Sequence, residues 1–303
     1  MLLHAPGTPA SLIQQWVQDA YDELAGKGHW AWLREEAFLT TLAARSLSVT
    51  FGAASTAITS AALFVATDAG RQLRVSTGFV YTIDSVTDAS NAVLQEAYQG
   101  SAGAATATIS DIYLPMPADF RSFYDVTDFS NQRPIVWWIS RDRLDVYDPA
   151  RVSSDTRFRV LASYKIATDT ARAGRLLYEA WPHPTAAGQY RLLYFKRSDT
   201  LADTDTFKGV LATKTQAILD GALAKCAAWP GLSKQQPNPY FQISLREYHR
   251  DRFEKEAHTL DILDDDQYLE SLQQVDLSKY GLGILMEDTA LLRSTDATIG
   301  DYY

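Results

Sequence analysis

The chain has 303 residues, 46% of them apolar and 21% charged, with a formal net charge of −9. That length supports one to three domains of roughly 100–200 residues, and the composition is that of an ordinary globular protein. The acidic balance argues against wrapping nucleic acid, which needs clustered Lys and Arg. No apolar run approaches the ~18 residues of a membrane-spanning helix, and the single cysteine, Cys226, excludes an internal disulfide or a Cys-based metal cluster.

Met1 to Pro9 has no basic region and is broken by Pro6-Gly7, so no leader is expected there. Residues 8–25 form the clearest helix. Thr8 is placed to cap it and Pro9 suits its first position. Leu12, Ile13, Trp16, Val17, Ala20, Tyr21 and Leu24 recur on one wide stripe. Gly26 and Gly28 end the helix. Trp30 and Trp32 are two apart, a spacing that cannot share a helix face, so His29 to Leu33 reads as a corner packed into the core.

From Ser46 the apolar period changes from about 3.6 to 2. Leu47, Val49 and Phe51 alternate with polar residues, as do Phe79, Tyr81 and Ile83. Residues 46–113 therefore read as short strands of a small barrel or sandwich. Ala61 to Ala66 is strand-sized, and the small residues from Gly100 to Thr108 read as a loop. Pro115 and Pro117 open a connecting zone, Ile135 to Ile139 reads as a short buried strand, and Ser140 starts a brief helix that ends before Asp148-Pro149. Residues 157–197 look like an antiparallel meander, with strands around Phe158–Ala162, Leu176–Trp181 and Tyr190–Phe195.

Helices return near 209. One holds Val210, Leu211, Ala217, Ile218 and Cys226 and is stopped by Pro230-Gly231; another runs from about Pro239 to Leu260 with charges of alternating sign. Residues 261–303 show no sustained period and read as an extended tail that a neighbour or partner holds.

No catalytic constellation stands out. His4, His29, His183, His249 and His258 form no H-x-x-x-H pair and no H-E-x-x-H motif. Cys226 lies among apolar helix residues, the setting of an inert thiol. No G-x-S-x-G elbow, phosphate loop or G-x-G-x-x-G is present. Asp203 with Asp205, and the run Asp264-Asp265-Asp266, could bind a cation in principle, yet neither has the calcium-loop pattern, and both read as solvated loops. The tryptophans, Trp16, Trp30, Trp32, Trp137, Trp138, Trp181 and Trp229, read as core or subunit contacts rather than sugar platforms. The chain is therefore expected to be no enzyme and to need no cofactor or metal.

The order of features is more telling than any one motif. A first helix ends in Gly26 to Arg34. A β segment follows with Gly70 to Val75 and Tyr81 to Val86, then Tyr98-Gln99-Gly100, Tyr113 to Arg121, Asp125 to Asp128 and Asn131 to Pro134. Trp181-Pro182-His183-Pro184 and Tyr190 to Phe195 come later. Over about residues 8–258 this resembles the head-to-tail adaptor (head–tail connector) proteins of tailed bacteriophages, in the version with a helical core and an inserted β domain.

The resemblance implies an α+β fold: a helical core built from N-terminal and C-terminal helices, a β-barrel or β-sandwich-like insertion, and a second antiparallel β region. The expected partition is 1–45 for the first part of the core, 46–113 for the inserted β domain, and 114–208 for the connecting segment and meander. The C-terminal core helices take 209–260 and the tail 261–303. The implied function is a virion structural subunit. It forms a homo-oligomeric ring, usually a dodecamer, under the portal protein, joins it to a tail or nozzle protein, and lets viral DNA pass without specific binding. No membrane is involved. Trp30, Trp32, Tyr302 and Tyr303 are the candidate assembly contacts. Two other readings stay open: a carbohydrate-binding tail fibre or surface module, and a hydrolase with a carboxylate pair about 5–10 Å apart.

Overall fold

A computed structural model describes residues 8–273, apart from 62, 77, 132, 138, 203, 204, 208, 209 and 235. The protein is mixed α+β and divides into two compact units. One takes both ends of the chain, Met1–Trp32 and Ser198–Tyr303; the other is a single excursion, Leu33–Arg197.

The chain opens with helix α1 (Ala10–Lys27) and a single 3-10 turn, Ala31–Leu33. The excursion continues through β1 (Arg34–Thr41), β2 (Arg45–Phe51), β3 (Ala57–Ser60), β4 (Gln72–Val75), β5 (Val80–Val86), β6 (Asn91–Leu94) and β7 (Gly103–Ser110). It then forms β8 (Tyr113–Pro115), β9 (Phe120–Asp128), β10 (Arg133–Pro134) and helix α2 (Arg141–Tyr147). Strands β11 (Ser154–Asp155), β12 (Val160–Ile166), β13 (Leu176–Trp181), β14 (His183–Pro184) and β15 (Gly188–Lys196) complete it. The return comprises α3 (Val210–Thr213), α4 (Gln216–Ala228), β16 (Gly231–Ser233), β17 (Gln236–Pro237) and α5 (Ile243–Gln273).

In the helical unit, α1 buries Trp16, Ala20, Tyr21 and Leu24 from the expected stripe. Thr8 does not cap it: α1 starts at Ala10, its cap position Pro9 makes no side-chain bond, and the Thr8 hydroxyl is buried without a partner. Packing is close at Gly221 on α4, where a Cβ would sit 2.8 Å from the Ala20 Cβ and 3.0 Å from the Phe253 ring. The helix expected across 210–226 is broken at Lys214-Thr215 into α3 and α4. The helix expected to stop at Leu260 runs on to Gln273, so the first part of the expected tail is helical. Aperiodicity hid it, because beyond Leu260 the acidic run interrupts the apolar stripe. Residues 274–303 lie outside the described residues.

In the β unit, β2, β3, β6, β5, β4 and β7 close into an antiparallel barrel, so the insertion is a barrel and not a sandwich. Alternation places Leu47, Val49 and Phe51 inside with Leu73, Ile83, Leu94 and Ile109. The stretch read as a loop, Gly100 to Thr108, supplies the closing strand: β7 pairs with β2 on one side and β4 on the other. Its Ala and Thr residues give almost no apolar contrast along the chain. Ala105 and Ala107 nevertheless sit against the core that holds Phe51 and Tyr98, where a narrow barrel needs small side chains beside large ones. β3 ends at Ser60, and among the described residues Ala61 and 63–66 lie in no strand.

The expected meander is two sheets. β12 pairs with β13, and β13 with β8, but β15 leaves to lie between β1 and β9 in the order β1-β15-β9-β10. Residues 34–41, expected as helical core, are therefore strand β1, paired with β15 from Arg34↔Phe195 to Thr41↔Gly188. Among the described residues of the expected 135–139 strand, an isolated bridge, Val136↔Val160, forms. Phe120, Phe123, Val126, Phe158, Leu161, Tyr190 and Leu192 share the core of these sheets. Helix α2 lays Leu144 against Val160 and Ala162.

Candidate functional site

Charged residues are built into the interior of the β unit, among them two clusters. The first ties the barrel to the sheets. Asp68 is fully buried and is bound by Arg45 and Arg71; Arg71 reaches Asp111 at 2.8 Å and donates to the Leu42 and Ala43 carbonyls. Beside it the Gln72 side-chain oxygen, Oε1, accepts from the Ile112 and Tyr113 amides, both at 2.9 Å. Gly70 is required there: its φ is +84°, and a Cβ would lie 2.7 Å from the Arg172 side chain.

The second cluster centres on Glu179, which β13 turns inward and buries completely. Arg151 and Arg141 donate to its two carboxylate oxygens. Arg151 also donates to Asp145 at 2.6 Å and to the Asp148 carbonyl. Asp148 in turn accepts from the Val152 and Ser153 amides and from the Trp181 indole at 3.1 Å. These bonds outweigh its burial and hold its carboxyl at about 2.

His183 borders this cluster. Its Nδ1 lies 3.3 Å from the Arg74 guanidinium, which can only donate, so the neutral ring carries its proton on Nε2. That Nε2 is buried without a partner. Burial first, then the positive charges of Arg74 and Arg151, push the imidazole down to about 4, with Asp148 pulling the other way. An unfolded chain titrates this group near 6.5, so it binds the proton more readily than the folded one. The stabilisation is therefore complete above about pH 6.5 and is lost as pH falls towards 4, amounting to about 3 kcal/mol. Urea unfolding of wild type and His183→Gln at pH 7 and pH 4 checks this: the wild type should lose more stability than the variant by that amount. Equal losses would show that His183 is not held neutral.

No protein-family model matches the chain, and no curated protein matches it. The chemistry of the residues is thus the basis for any function.

Asp68 and Glu179 are each neutralised by two arginines, and Asp220, fully buried on α4, receives His249 at 2.8 Å and Arg252 at 3.3 Å. The oxygens of these carboxylates are turned to arginine or histidine donors. Among the described residues no three His, Cys, Asp or Glu side chains gather to hold a metal. Cys226 is buried, which pushes its thiol up and disfavours the nucleophilic thiolate.

The expected assembly contacts separate. Trp30 is only 2% exposed, and its indole donates to the Leu24 carbonyl at 2.9 Å, so it belongs to the core of the helical unit. Trp32 is half-buried and stacks on Trp30 with ring centroids 4.5 Å apart. Tyr302 and Tyr303 lie outside the described residues, as do His4, Trp138 and Asp203. Asp264, read as part of a solvated loop, is buried on α5 and accepts the Ala31 amide at 2.6 Å. Asp205 closes a local turn by accepting the Ala202 amide. Trp16 meets Trp229 edge-on at 5.6 Å, and Trp137 stacks on Phe123.

What the sequence did not single out is a surface groove of the helical unit, lined by Lys225 of α4 and by Arg246 and Arg250 of α5. The spacing Arg246, Arg250 (i, i+4) is the one signal that could have found it.

Proposed function

We propose that this chain is a structural subunit of a phage head-to-tail adaptor ring. The ring would dock under the portal protein, join it to a tail or nozzle protein, and line part of the DNA channel in the virion. In this reading the helical unit is the core of the fold and the body of the ring, and the barrel is an appendage directed at other virion proteins.

The observation that carries the proposal is the discontinuous build: one unit from both ends of the chain, with the β unit as a single excursion between them. That is the order of elements in the family the sequence resembles. The buried carboxylates Asp68, Glu179 and Asp220, matched by arginine or histidine, also favour a rigid building block over a catalyst. Exposed apolar side chains on separate elements, among them Val146, Tyr147, Phe241 and Ile243, supply surface for neighbours. The net charge of −9 suits a wall that DNA slides past, although salt limits such repulsion to about 8–10 Å. The carbohydrate reading draws no support from the barrel, whose strands hold none of the seven tryptophans.

Electron microscopy and native mass spectrometry of the purified chain, alone and with portal particles, test the proposal. A closed ring that caps the portal is expected. A monomer that ignores portals overturns it.

A further inference from the structure

His183 links two parts of the β unit. Its backbone belongs to β14, which lies parallel to β11 with Ser154 opposite His183. The His183 amide donates to the Ser153 carbonyl at 3.0 Å, the Thr185 amide to Asp155 at 2.8 Å and the Ala186 amide to Thr156 at 3.3 Å. Its ring faces Arg74, which stands on β4 between β5 and β7 of the barrel. The Arg74 guanidinium is half-buried and makes no ion pair among the described residues. It donates to the imidazole Nδ1 at 3.3 Å, so the contact needs a neutral ring with a free electron pair on that nitrogen.

A proton on Nδ1 reverses this contact. The Nδ1–H would point at a guanidinium, which is also a donor and also positive, while the Nε2–H is buried without a partner. The ring is only 5% exposed, so water does not replace the lost acceptor while the segment stays closed. The surrounding charges do not offset the loss. Arg74 from β4 and Arg151 from the segment after α2 oppose a positive ring, and Asp148 favours it. Asp148, however, is committed to the Val152 and Ser153 amides and the Trp181 indole. Glu179 of β13 is taken up by Arg141 and Arg151, and Asp155 of β11 by Arg159 and the Thr156 amide. Burial raises the Tyr113 phenol of β8, which stays neutral. Arg74, Arg141 and Arg151 already balance Asp145, Asp148 and Glu179, so a protonated ring is surplus charge.

We propose that Arg74 and His183 form an acid-sensitive latch between the barrel and the β11–β14 segment, closed while the imidazole is neutral and opened by its protonation. β14 is two residues long and is held by few backbone bonds, so it opens locally at lower cost than the sheets around it. The Glu179–Arg151 pair keeps residues 141–151 in place, and the parts that move are 153–156 and 182–186. The sign follows from proton affinity. The closed ring titrates at about 4 and an open, hydrated one near 6.5, so opening takes up a proton and is favoured as pH falls through that window. From pH 7 to pH 5 the opening constant should rise about twentyfold. Acid then changes the surface that the β unit presents beside the exposed Val152. The latch does not depend on the ring reading; it needs only these contacts.

Hydrogen exchange of the full chain at pH 7 and pH 5, read by mass spectrometry and corrected for the chemical exchange rate at each pH, tests it. Peptides covering 182–187 should show the rise of about twentyfold in opening, and those covering 141–151 and the barrel strands should not. His183→Gln keeps an acceptor for Arg74 and does not titrate, so the rise should vanish. Arg74→Gln keeps a donor and removes the charge, so the rise should be smaller than in wild type. Circular dichroism at both pH values establishes that the variants are folded. An NMR titration of the His183 ring protons in the wild type needs no substitution, and proton uptake there should track opening. A rise that persists in His183→Gln, or one spread evenly through residues 33–197, overturns the latch. So does proton uptake by His183 with no change at 182–187, or wild-type exchange that is the same at both pH values.

Discussion

Glu179→Ala should lower the stability of the β unit by about 3–5 kcal/mol, the cost of stranding a buried charge. Glu179 is fully buried and holds two guanidinium groups, those of Arg141 and Arg151. Arg141 is partly exposed and can turn to water, but Arg151 cannot follow. Its backbone is pinned at φ +51°, a left-handed conformation that bulky residues seldom adopt, and its side chain is almost wholly enclosed. Only Asp145, half exposed, would remain as its charged partner. Glu179→Gln keeps the shape and should lose most of the same energy, because the missing term is charge. Replacing Glu179, Arg141 and Arg151 together by apolar residues should cost less than Glu179→Ala alone, since no ion is then left unmatched. Denaturant unfolding followed by hydrogen exchange within residues 33–197 checks this, and a loss below about 1 kcal/mol for Glu179→Ala would refute the cluster's role.

Trp30→Ala should cost the helical unit about 3–5 kcal/mol, the range for emptying a buried aromatic site. Two losses combine there. The indole fills the core beside Trp32, and its Nε1 donates to the Leu24 carbonyl. Leu24 lies in the last turn of α1, whose final four carbonyls have no partner within the helix. Trp30 thus acts as a side-chain cap as well as a core residue. Trp30→Phe should retain most of the packing and lose about 1 kcal/mol for the hydrogen bond. Hydrogen exchange separates the two predictions by place. Trp30→Ala should raise exchange in α1, α4 and α5, and Glu179→Ala in β12 and β13. The reverse pattern would mean that the residues have been assigned to the wrong cores.

Residues whose partners are near in sequence were legible. The stripe on α1 was read from spacing, because a helix face repeats every three to four residues whatever it packs against. The inward Leu47, Val49 and Phe51 were read for the same reason with period 2. The closing strand of the barrel was not, because Ala and Thr alternate with too little contrast to mark a face, and only pairing with β2 and β4 makes Gly103–Ser110 a strand. The β15 strand was read as a strand but given the wrong neighbours, since alternation fixes a face and carries nothing about which edge is shared.

The candidate site followed the same division. Glu179 sits inside an apolar strand, which marks it as unusual, but the sequence does not indicate that Arg141 and Arg151 come to it from 38 and 28 residues away. Trp30 was recognised as packed and also offered as a contact; only its burial decides between those roles. The amino-acid sequence by itself determined the α+β character, the first helix and the approximate reach of the inserted barrel, because period and punctuation are local properties. The tertiary structure alone decided the barrel's closure, the splitting of the meander into two sheets, and the union of the chain's two ends in one unit. It also decided the pairing of the buried charges Asp68, Glu179 and Asp220. Each of these depends on which distant segment supplies the hydrogen bonds and counter-charges that a buried backbone or ion requires.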